Sequence, residues 1–180
     1  MYRRIIKKIF NSLGIEVRVK PKFGKVLSFD DIYKTKLNID NPIIFDVGAN
    51  KGQSIERFKT NFKNPKIYSF EPNPEIFKES LEKYKNDEDI FLNNLALGDK
   101  NCTIPLNVTI NSGNSSFYDL KKNTEWIKIR SKQFNTSPEN FIEKQVNVDC
   151  TTLDNYCSEN RIENIDLLKI DTQGFEDKVL

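Results

Sequence analysis

Two glycines and an acidic residue follow a short apolar run, in the pattern of a turn that binds a ligand. The stretch FDVGANKG places Asp46, Gly48 and Gly52 directly after the apolar residues Ile43 and Ile44. Glycine lets a turn adopt unusual dihedral angles and lets a ligand approach the backbone closely. A helix that begins after such a turn offers unpaired N–H groups to an oxygen-bearing ligand. The stretch therefore predicts a binding turn at the end of a strand.

A second acidic residue, Glu71, ends the next apolar run, 19 residues after Gly52. A carboxylate at the end of a strand can accept two hydrogen bonds from a ribose diol. The glycine turn and Glu71 together indicate a cofactor that contains adenosine. The alternative is a plain strand-to-helix turn beside a surface glutamate.

The spacing of the glycines and the acidic residue in the turn favours one cofactor among those that contain adenosine. A dinucleotide fingerprint reads G-x-G-x-x-G, and its middle glycine admits the pyrophosphate. This chain reads D-x-G-x-x-x-G, so that glycine is missing, and Asp46 favours a ligand with a charged amino group. S-adenosylmethionine has such an amino group, a carboxylate for the helix end and a ribose for Glu71. A nicotinamide oxidoreductase is a minor alternative, and the G-x-x-x-x-G-K-[ST] sequence of a P-loop does not occur.

The elements that must position these residues follow a strand–helix rhythm. Apolar runs predict four core strands in PIIFDVG, KIYSFEP, IFLNNLAL and NIDLLKID, with helices in SIERFKTNF and NPEIFKESLEKYK. Asn73 is the expected N-cap of the second helix, with Pro74 as its first residue. Buried strands that alternate with helices predict an α/β fold with a parallel, Rossmann-like sheet and helices on both faces.

The remaining segments predict smaller elements. CTIPLNV, SSFYDL and KQVNVDCTTL are typical of short strands, TTLDNYCSENR of a short helix, and TQGFEDKVL of the start of another helix. A further short helix is expected near Asp30–Lys36. Residues 121–144 show no clear pattern.

Charge divides the chain into two regions. Residues 1–25 carry eight Lys/Arg and one Glu (net +7), so the whole-chain charge of +2 leaves −5 for residues 26–180. The mildly acidic body argues against a nucleic-acid-binding surface. Residues 1–14 predict a basic amphipathic helix, which either docks on the domain or weakly contacts an anionic membrane surface. We expect residues 1–40 to form this helix and a connector, and residues 41–180 to form the binding domain.

Cysteine and histidine usage restricts the chemistry. The cysteines are Cys102, Cys150 and Cys157, with no CxxC, and the chain has no histidine. No metal site is expected, because the commonest zinc ligands are missing. Reduced thiols, and the lack of a secretory signal or an apolar membrane span, predict a cytoplasmic protein. If residues 1–14 do contact a membrane, the protein would be peripheral to the inner face of that membrane. Any general base must be a residue other than histidine.

Several segments, in order, resemble the FkbM family of methyltransferases, a branch of the class I S-adenosylmethionine-dependent enzymes. They are FDVGANKGQS, YSFEPNPEIFKESL, LNNLALGD, NSGNSSF, VNVDCTTLDNY and IDLLKIDTQGFEDKVL. The first two are shared by many class I methyltransferases, whereas TLD followed by IDLLKID-x-x-G-x-E is more specific to this family. The resemblance implies O-methylation of a hydroxyl on a sugar, polysaccharide or related metabolite.

The resemblance also implies roles for individual residues. It places Asp46, Gly48, Asn50 and Gly52 around the methionine part of the cofactor, Glu71 with Pro72 and Asn73 at the ribose, and Asn94, Ala96 and Leu97 near the adenine. Asp171, at the end of the fourth core strand, would face the sulfonium and the acceptor. Position 173 is Gln where many relatives have Glu, which leaves Asp171 and Glu176 as the candidate catalytic residues.

Chemistry alone also favours Asp171 as the base, because strand ends of this fold face the binding crevice. Alignment of the reacting groups can supply up to about 7–11 kcal/mol of the acceleration, so the base has only a proton to remove. The alternative for Asp171 is a carboxylate at a helix N-terminus that accepts hydrogen bonds from backbone N–H groups, and the alternative for Glu176 is that it only caps the helix or pairs with a charged residue. Lys169 is interpreted as sheet-face packing or an ion-pair partner. NSGNSSF either shapes the acceptor pocket or is a polar hairpin turn.

The predicted sheet is incomplete, because a class I methyltransferase normally has further strands after the four counted here. An apolar fourth strand would make a poor exposed edge. The sequence thus predicts a domain truncated before its last strands, either as a fragment or as a chain that pairs with a partner. The alternative function is an inactive module that keeps an adenosyl-ligand pocket or serves as a scaffold.

Overall fold

The computed structural model describes residues 28–37 and 39–180. Its helices are α1 (Phe29–Lys36), α2 (Gln53–Asn61), α3 (Pro74–Tyr84), α4 (Glu125–Gln133), α5 (Leu153–Glu159) and α6 (Glu176–Val179). Its strands are β1 (Ile43–Val47), β2 (Lys66–Phe70), β3 (Ile90–Asn93), β4 (Ala96–Leu97), β5 (Cys102–Thr109), β6 (Ile142–Thr151) and β7 (Leu167–Ile170), and Ser112–Asn114 form a 3₁₀ turn. The amphipathic helix predicted for residues 1–14 lies outside the described residues.

The central sheet has the strand order β3-β2-β1-β7, and all of its pairs are parallel. This confirms the predicted α/β fold, because α2 and α3 are the crossovers that parallel neighbours require. The chain leaves β1 towards β2 on one side, and β7 pairs with β1 on the other. The carboxyl end of β1 therefore lies at the switch point where ligands bind in such sheets.

Helices cover both faces of the central sheet, as predicted. On one face, Ile44 and Ile67 pack against Ile55 and Phe58 of α2 and Tyr33 of α1. The opposite face holds a second apolar cluster, which includes Phe45, Phe70, Tyr156 of α5 and Val179 of α6. Alternate residues of one strand supply the two clusters, which explains why the core strands read as continuous apolar runs.

Side chains cap the starts of α3 and α5, and the cap of α3 is the predicted residue, Asn73. Asn73 caps α3 by accepting a hydrogen bond from the Glu75 N–H at 3.0 Å, and Pro74 is the first helical residue. The side chain of Thr152 caps α5 in the same way, accepting from the Asn155 N–H at 3.1 Å. These caps fix where each chain segment leaves the sheet.

Two strand predictions were wrong. IFLNNLAL is split: β3 ends at Asn93 in the central sheet, and β4 belongs to a second sheet of order β4-β6-β5. SSFYDL forms no strand, since only Ser116 makes an isolated bridge, to Asn107. Residues 121–144, for which no pattern was found, contain α4. Its Trp126 and Ile129 are 43% and 55% exposed, so its apolar residues do not form one buried stripe.

The second sheet packs its own small core beside the end of the central sheet. Ala96, Leu106 and Val148 are buried in it, with Phe117 partly buried against them. At the other edge of the central sheet, β7 is the outer strand of the described residues, and all four of its residues are partly exposed. No helix within residues 28–37 and 39–180 is long and apolar enough to cross a membrane.

Candidate functional site

A cleft of about 630 Å³, counted to its open mouth, lies beyond the carboxyl ends of β1, β2 and β7. The lining consists of Val47, Gly48, Asn50, Phe70, Glu71, Pro72, Leu95, Ala96, Leu97, Leu106, Ser112, Gly113, Ser115, Phe117, Asp171, Thr172 and Gln173. Of the predicted site residues, Asp46, Gly52, Asn73, Asn94 and Glu176 do not line the cleft, and the others do.

The glycines of the turn are required by packing within the protein. Gly48 and Gly52 have φ of 76° and 77°, a region that favours glycine, and Asn50 between them has φ of 48°. A Cβ on Gly48 would lie 2.1 Å from the Asp171 carbonyl oxygen, and one on Gly52 would lie 2.6 Å from the Tyr84 hydroxyl. The expected unusual dihedral angles are present. The space at Gly52, however, is filled by Tyr84 of α3, which donates a hydrogen bond to the Gly52 carbonyl at 3.1 Å.

Glu71 ties the turn after β1 to the end of β2. Its Oε2 accepts a hydrogen bond from the Asn50 N–H at 2.8 Å, and its Oε1 accepts one from the Asn73 N–H at 2.9 Å. Burial raises the pKa of Glu71, an effect larger than the lowering by these two backbone donors. Each carboxylate oxygen keeps a second lone pair, so the ionised side chain can still accept hydrogen bonds from a ligand diol.

Asn94 does not line the cleft but is hydrogen-bonded to residues that do. Its side-chain nitrogen donates hydrogen bonds to the carbonyls of Glu71 and Pro72, at 2.9 and 3.0 Å. These bonds hold the segment that follows β2 against the segment that follows β3. The adjacent β4 residues Ala96 and Leu97 are buried and give the cleft an apolar wall.

Lys169 joins three groups behind the site. Its Nζ lies 3.0 Å from Asp46 Oδ1, 3.9 Å from Asp171 Oδ2, and donates a hydrogen bond to the Gly48 carbonyl at 2.9 Å. The structure thus confirms the ion-pair interpretation of Lys169. Asp46 does not line the cleft, is fully buried, and its Oδ2 has no hydrogen-bond partner among the described residues. Burial raises the pKa of Asp46, and the Lys169 charge only partly offsets this.

Asp171 and Glu176 have different roles at the end of β7. Asp171 lines the cleft with a 57% exposed side chain, and its Oδ1 accepts a hydrogen bond from the Gln173 side chain at 2.8 Å. Glu176 instead accepts from the Thr172 and Gly174 N–H groups, at 2.9 and 3.0 Å. Burial raises the pKa of Glu176, but the backbone donors outweigh it and the net pKa is lowered. Glu176 therefore holds the turn between β7 and α6, and Asp171 is the acidic residue that faces the cleft.

The NSGNSSF segment bridges the two turns of the site. Ser112 Oγ donates a hydrogen bond to Asn50 Oδ1 at 2.9 Å, and Ser116 Oγ donates one to the Gln173 carbonyl at 2.9 Å. The segment forms the 3₁₀ turn and lines the cleft with small polar side chains. The sequence had marked this segment but did not identify Ser112 or Ser116 as the residues that fasten it.

Over the described residues, no group of three or more His, Cys, Asp or Glu side chains could hold a metal ion. The charged groups of the cleft are carboxylates, Glu71 and Asp171, and the ammonium of Lys169 is turned towards Asp46 behind it. The site therefore combines an apolar wall, two acidic strand ends and a polar loop. This combination suits a cationic or neutral ligand with hydroxyl groups better than a phosphate.

Comparison with known proteins agrees with this description. A family model described as "Methyltransferase FkbM domain" matches residues 46–180, which include every predicted site residue. The protein "2-O-methyltransferase NoeI" of Sinorhizobium fredii (strain NBRC 101917 / NGR234) is 28% identical over 142 residues. That match covers 78% of this chain and 56% of NoeI, so the chain spans little more than half the length of this curated relative.

Proposed function

Because the chain belongs to the FkbM methyltransferase family, we propose that it acts in S-adenosylmethionine-dependent O-methylation of a hydroxyl on a sugar, polysaccharide or related metabolite. The observation that carries the proposal is that one cleft is lined by Glu71 after β2, Asp171 after β7 and Gly48 of the turn. The name of NoeI, a 2-O-methyltransferase, supports a hydroxyl as the acceptor.

The residues of the cleft fit this cofactor. Glu71 would accept hydrogen bonds from the ribose, and Ala96 and Leu97 would pack against the adenine. The backbone of the turn from Gly48 to Asn50 would face the methionine part. The acidic character of the cleft suits a cationic ligand. When bound, S-adenosylmethionine supplies an electrophilic methyl group.

The chain's own contribution to the reaction is orientation and proton removal. Asp171 would accept the proton of the acceptor hydroxyl as the new C–O bond forms, since its carboxylate faces the cleft, whereas that of Glu176 is hydrogen-bonded to the backbone of the turn after β7. Ser112 and Ser115 would hydrogen-bond neighbouring hydroxyls of the acceptor. An acceptor held in line with the methyl group needs little further assistance.

We expect Asp171→Asn to lower the rate of methyl transfer by about 10²–10⁴-fold, the usual contribution of a positioned general base. S-adenosylmethionine should still bind the variant, because the bonds of Glu71 are untouched, so the loss appears in the transfer step. The assay follows radiolabelled methyl groups from S-adenosylmethionine onto a panel of mono- and oligosaccharides.

Asp177→Asn is the matched control, since Asp177 is an exposed carboxylate in the first turn of α6. It should transfer methyl groups at the wild-type rate. Equal rates for Asp171→Asn and the wild type would remove Asp171 from the mechanism. Binding of S-adenosylmethionine without transfer to any hydroxyl acceptor would favour the inactive binding module.

We expect Glu71→Gln to weaken S-adenosylmethionine binding by about 10–100-fold, since hydrogen bonds to a charged group contribute about 1.5–3 kcal/mol each. The raised pKa of Glu71 adds a pH dependence: wild-type affinity should fall with decreasing pH, starting above the range of an ordinary glutamate. The amide of the variant does not titrate, so its affinity should lack this decline. Calorimetric titrations over a pH series measure both effects.

The exposed residue Glu75 provides the control for this series, because it is paired with Lys144 away from the cleft. Glu75→Gln should keep the wild-type affinity and its decline at low pH. A Glu71→Gln variant that binds as tightly as the wild type at every pH would show that this carboxylate does not hold the ribose.

A further inference from the structure

Two cysteines face each other across the second sheet. Cys102 of β5 and Cys150 of β6 are directly paired residues of antiparallel strands. Residues opposite each other in such a pair have Cα atoms about 4.5–5.5 Å apart, within the roughly 4.4–6.8 Å that a disulfide spans. Both side chains belong to one apolar cluster, so both point to the same face of the sheet. The backbone is therefore already placed for a covalent link.

The two thiols differ in access. Cys150 is 6% exposed on the central strand β6, whereas Cys102 is partly exposed on the outer strand β5. Burial raises the pKa of the Cys150 thiol to about 12, and the adjacent Cys102 thiol adds to the rise. An external reagent thus reaches Cys102 first, and Cys150 is the buried second thiol. Cys157 lies on α5 and packs in a different apolar cluster.

We propose that Cys102 and Cys150 form a covalent modification site that reacts with small-molecule disulfides, such as oxidised glutathione, and closes into a reversible cross-strand disulfide. In the first step, the Cys102 thiolate attacks one sulfur of the reagent, and one reduced glutathione leaves. In the second step, the Cys150 thiolate attacks Cys102 Sγ, and the second glutathione leaves. The two protein thiols lose two protons and two electrons, and the reagent is reduced to two thiols.

The position of the pair links it to the cleft wall. Cys150 is paired with Ala96 of β4 on its other side, and Ala96 lines the cleft. Gly98 lies against the Cys150 thiol, since a Cβ on Gly98 would be only 2.8 Å from Cys150 Sγ. Leu106 and Phe117 belong both to the cluster of the two cysteines and to the lining of the cleft. The disulfide would thus form directly behind one wall of the cleft.

The test treats the full chain with oxidised glutathione in mildly alkaline buffer, then counts free thiols with Ellman's reagent in denaturant and maps peptides by mass spectrometry. We expect two of the three thiols to disappear, with a Cys102–Cys150 peptide link and no retained glutathione. Dithiothreitol should restore all three thiols. The melting temperature of the oxidised chain should rise by several degrees, because the link closes a long loop in the unfolded state.

Single variants make the result specific. Cys157→Ser should form the same disulfide as the wild type, Cys102→Ser should form none, and Cys150→Ser should retain one glutathione on Cys102. A wild-type chain that keeps glutathione on Cys102 with Cys150 unreacted, that links Cys157, or that keeps all three thiols would overturn the proposal. These readouts need neither cofactor nor acceptor, so they stand or fall separately from the proposed methyl transfer.

Discussion

Replacing Gly48 with alanine is expected to lower the free energy of unfolding by about 3 kcal/mol or more and to abolish S-adenosylmethionine binding. The new Cβ would lie 2.1 Å from the Asp171 carbonyl oxygen, and the backbone at Gly48 has φ of 76°. Neither the Gly48 backbone nor the Asp171 backbone can move away easily, because each is hydrogen-bonded to a neighbouring strand. Gly48 N–H donates to the Phe70 carbonyl at 3.0 Å, and Asp171 N–H donates to the Val47 carbonyl at 3.0 Å.

Gly174→Ala separates the clash from the backbone strain. Gly174 has φ of 103°, but the nearest atom to a Cβ there is 3.6 Å away, on Tyr118. This variant should lose only the conformational cost of a positive φ, about 1–2 kcal/mol. Urea denaturation of the wild type and both variants gives the comparison. Equal losses in the two variants would mean that the turn can move away from β7, and the account of Gly48 would be wrong.

The second large effect is expected at the ion pair behind the cleft. Lys169→Met should lower the free energy of unfolding by about 3–5 kcal/mol at neutral pH, since it leaves Asp46 buried without its partner. Asp46 is 0% exposed, and the Lys169 side chain is 21% exposed. Asp46→Asn should cost less, because Lys169 keeps its hydrogen bond to Gly48 and its proximity to Asp171. The double variant should lose less than the sum of the two single variants.

The loss in Lys169→Met should depend on pH in a defined direction. The folded-state pKa of Asp46 is already raised by burial, and removing the Lys169 charge raises it further. A group whose folded pKa is raised binds its proton more tightly in the folded state than in the unfolded state. The destabilisation is therefore largest above the folded pKa of Asp46 and diminishes as the pH falls through it.

Urea denaturation at several pH values measures this dependence. Lys178→Met is the control, since Lys178 pairs at 3.0 Å with Asp99 but both side chains are well exposed. An exposed pair of this kind contributes about 0–1 kcal/mol. A Lys169→Met variant that loses no more stability than this control would show that Asp46 does not depend on Lys169.

Much of the central sheet could be predicted, because strands buried on both faces read as apolar runs that end at glycine or proline. The end of β3 could not be predicted in this way. Nothing in IFLNNLAL shows that the chain changes sheets at Asn94, since both halves are mostly apolar and each forms a strand. Helix α4 was missed because Trp126 and Ile129 are exposed on it, which removes the periodicity that indicates a helix.

The candidate site was predictable where an acidic residue directly follows an apolar strand, as at Glu71 and Asp171. It was not predictable where a residue's role depends on register. Asp46 was predicted beside the cofactor, and its ion pair with Lys169 follows from the register of β1 and β7, which the sequence does not show. Gly52 was expected to allow unusual dihedral angles and a close ligand. Its positive φ was predictable in this way, whereas the packing of Tyr84 against it was not. Such contacts join residues that are distant in sequence, and no local pattern encodes them.

The most direct test of the central claim is a calorimetric titration of the wild-type chain with S-adenosylmethionine and, separately, with NADH. We predict saturable binding of S-adenosylmethionine at a single site and no heat of binding with NADH, because the turn lacks the glycine that admits a pyrophosphate. Binding of NADH alone, or of neither compound, would contradict the assignment of this cleft to S-adenosylmethionine.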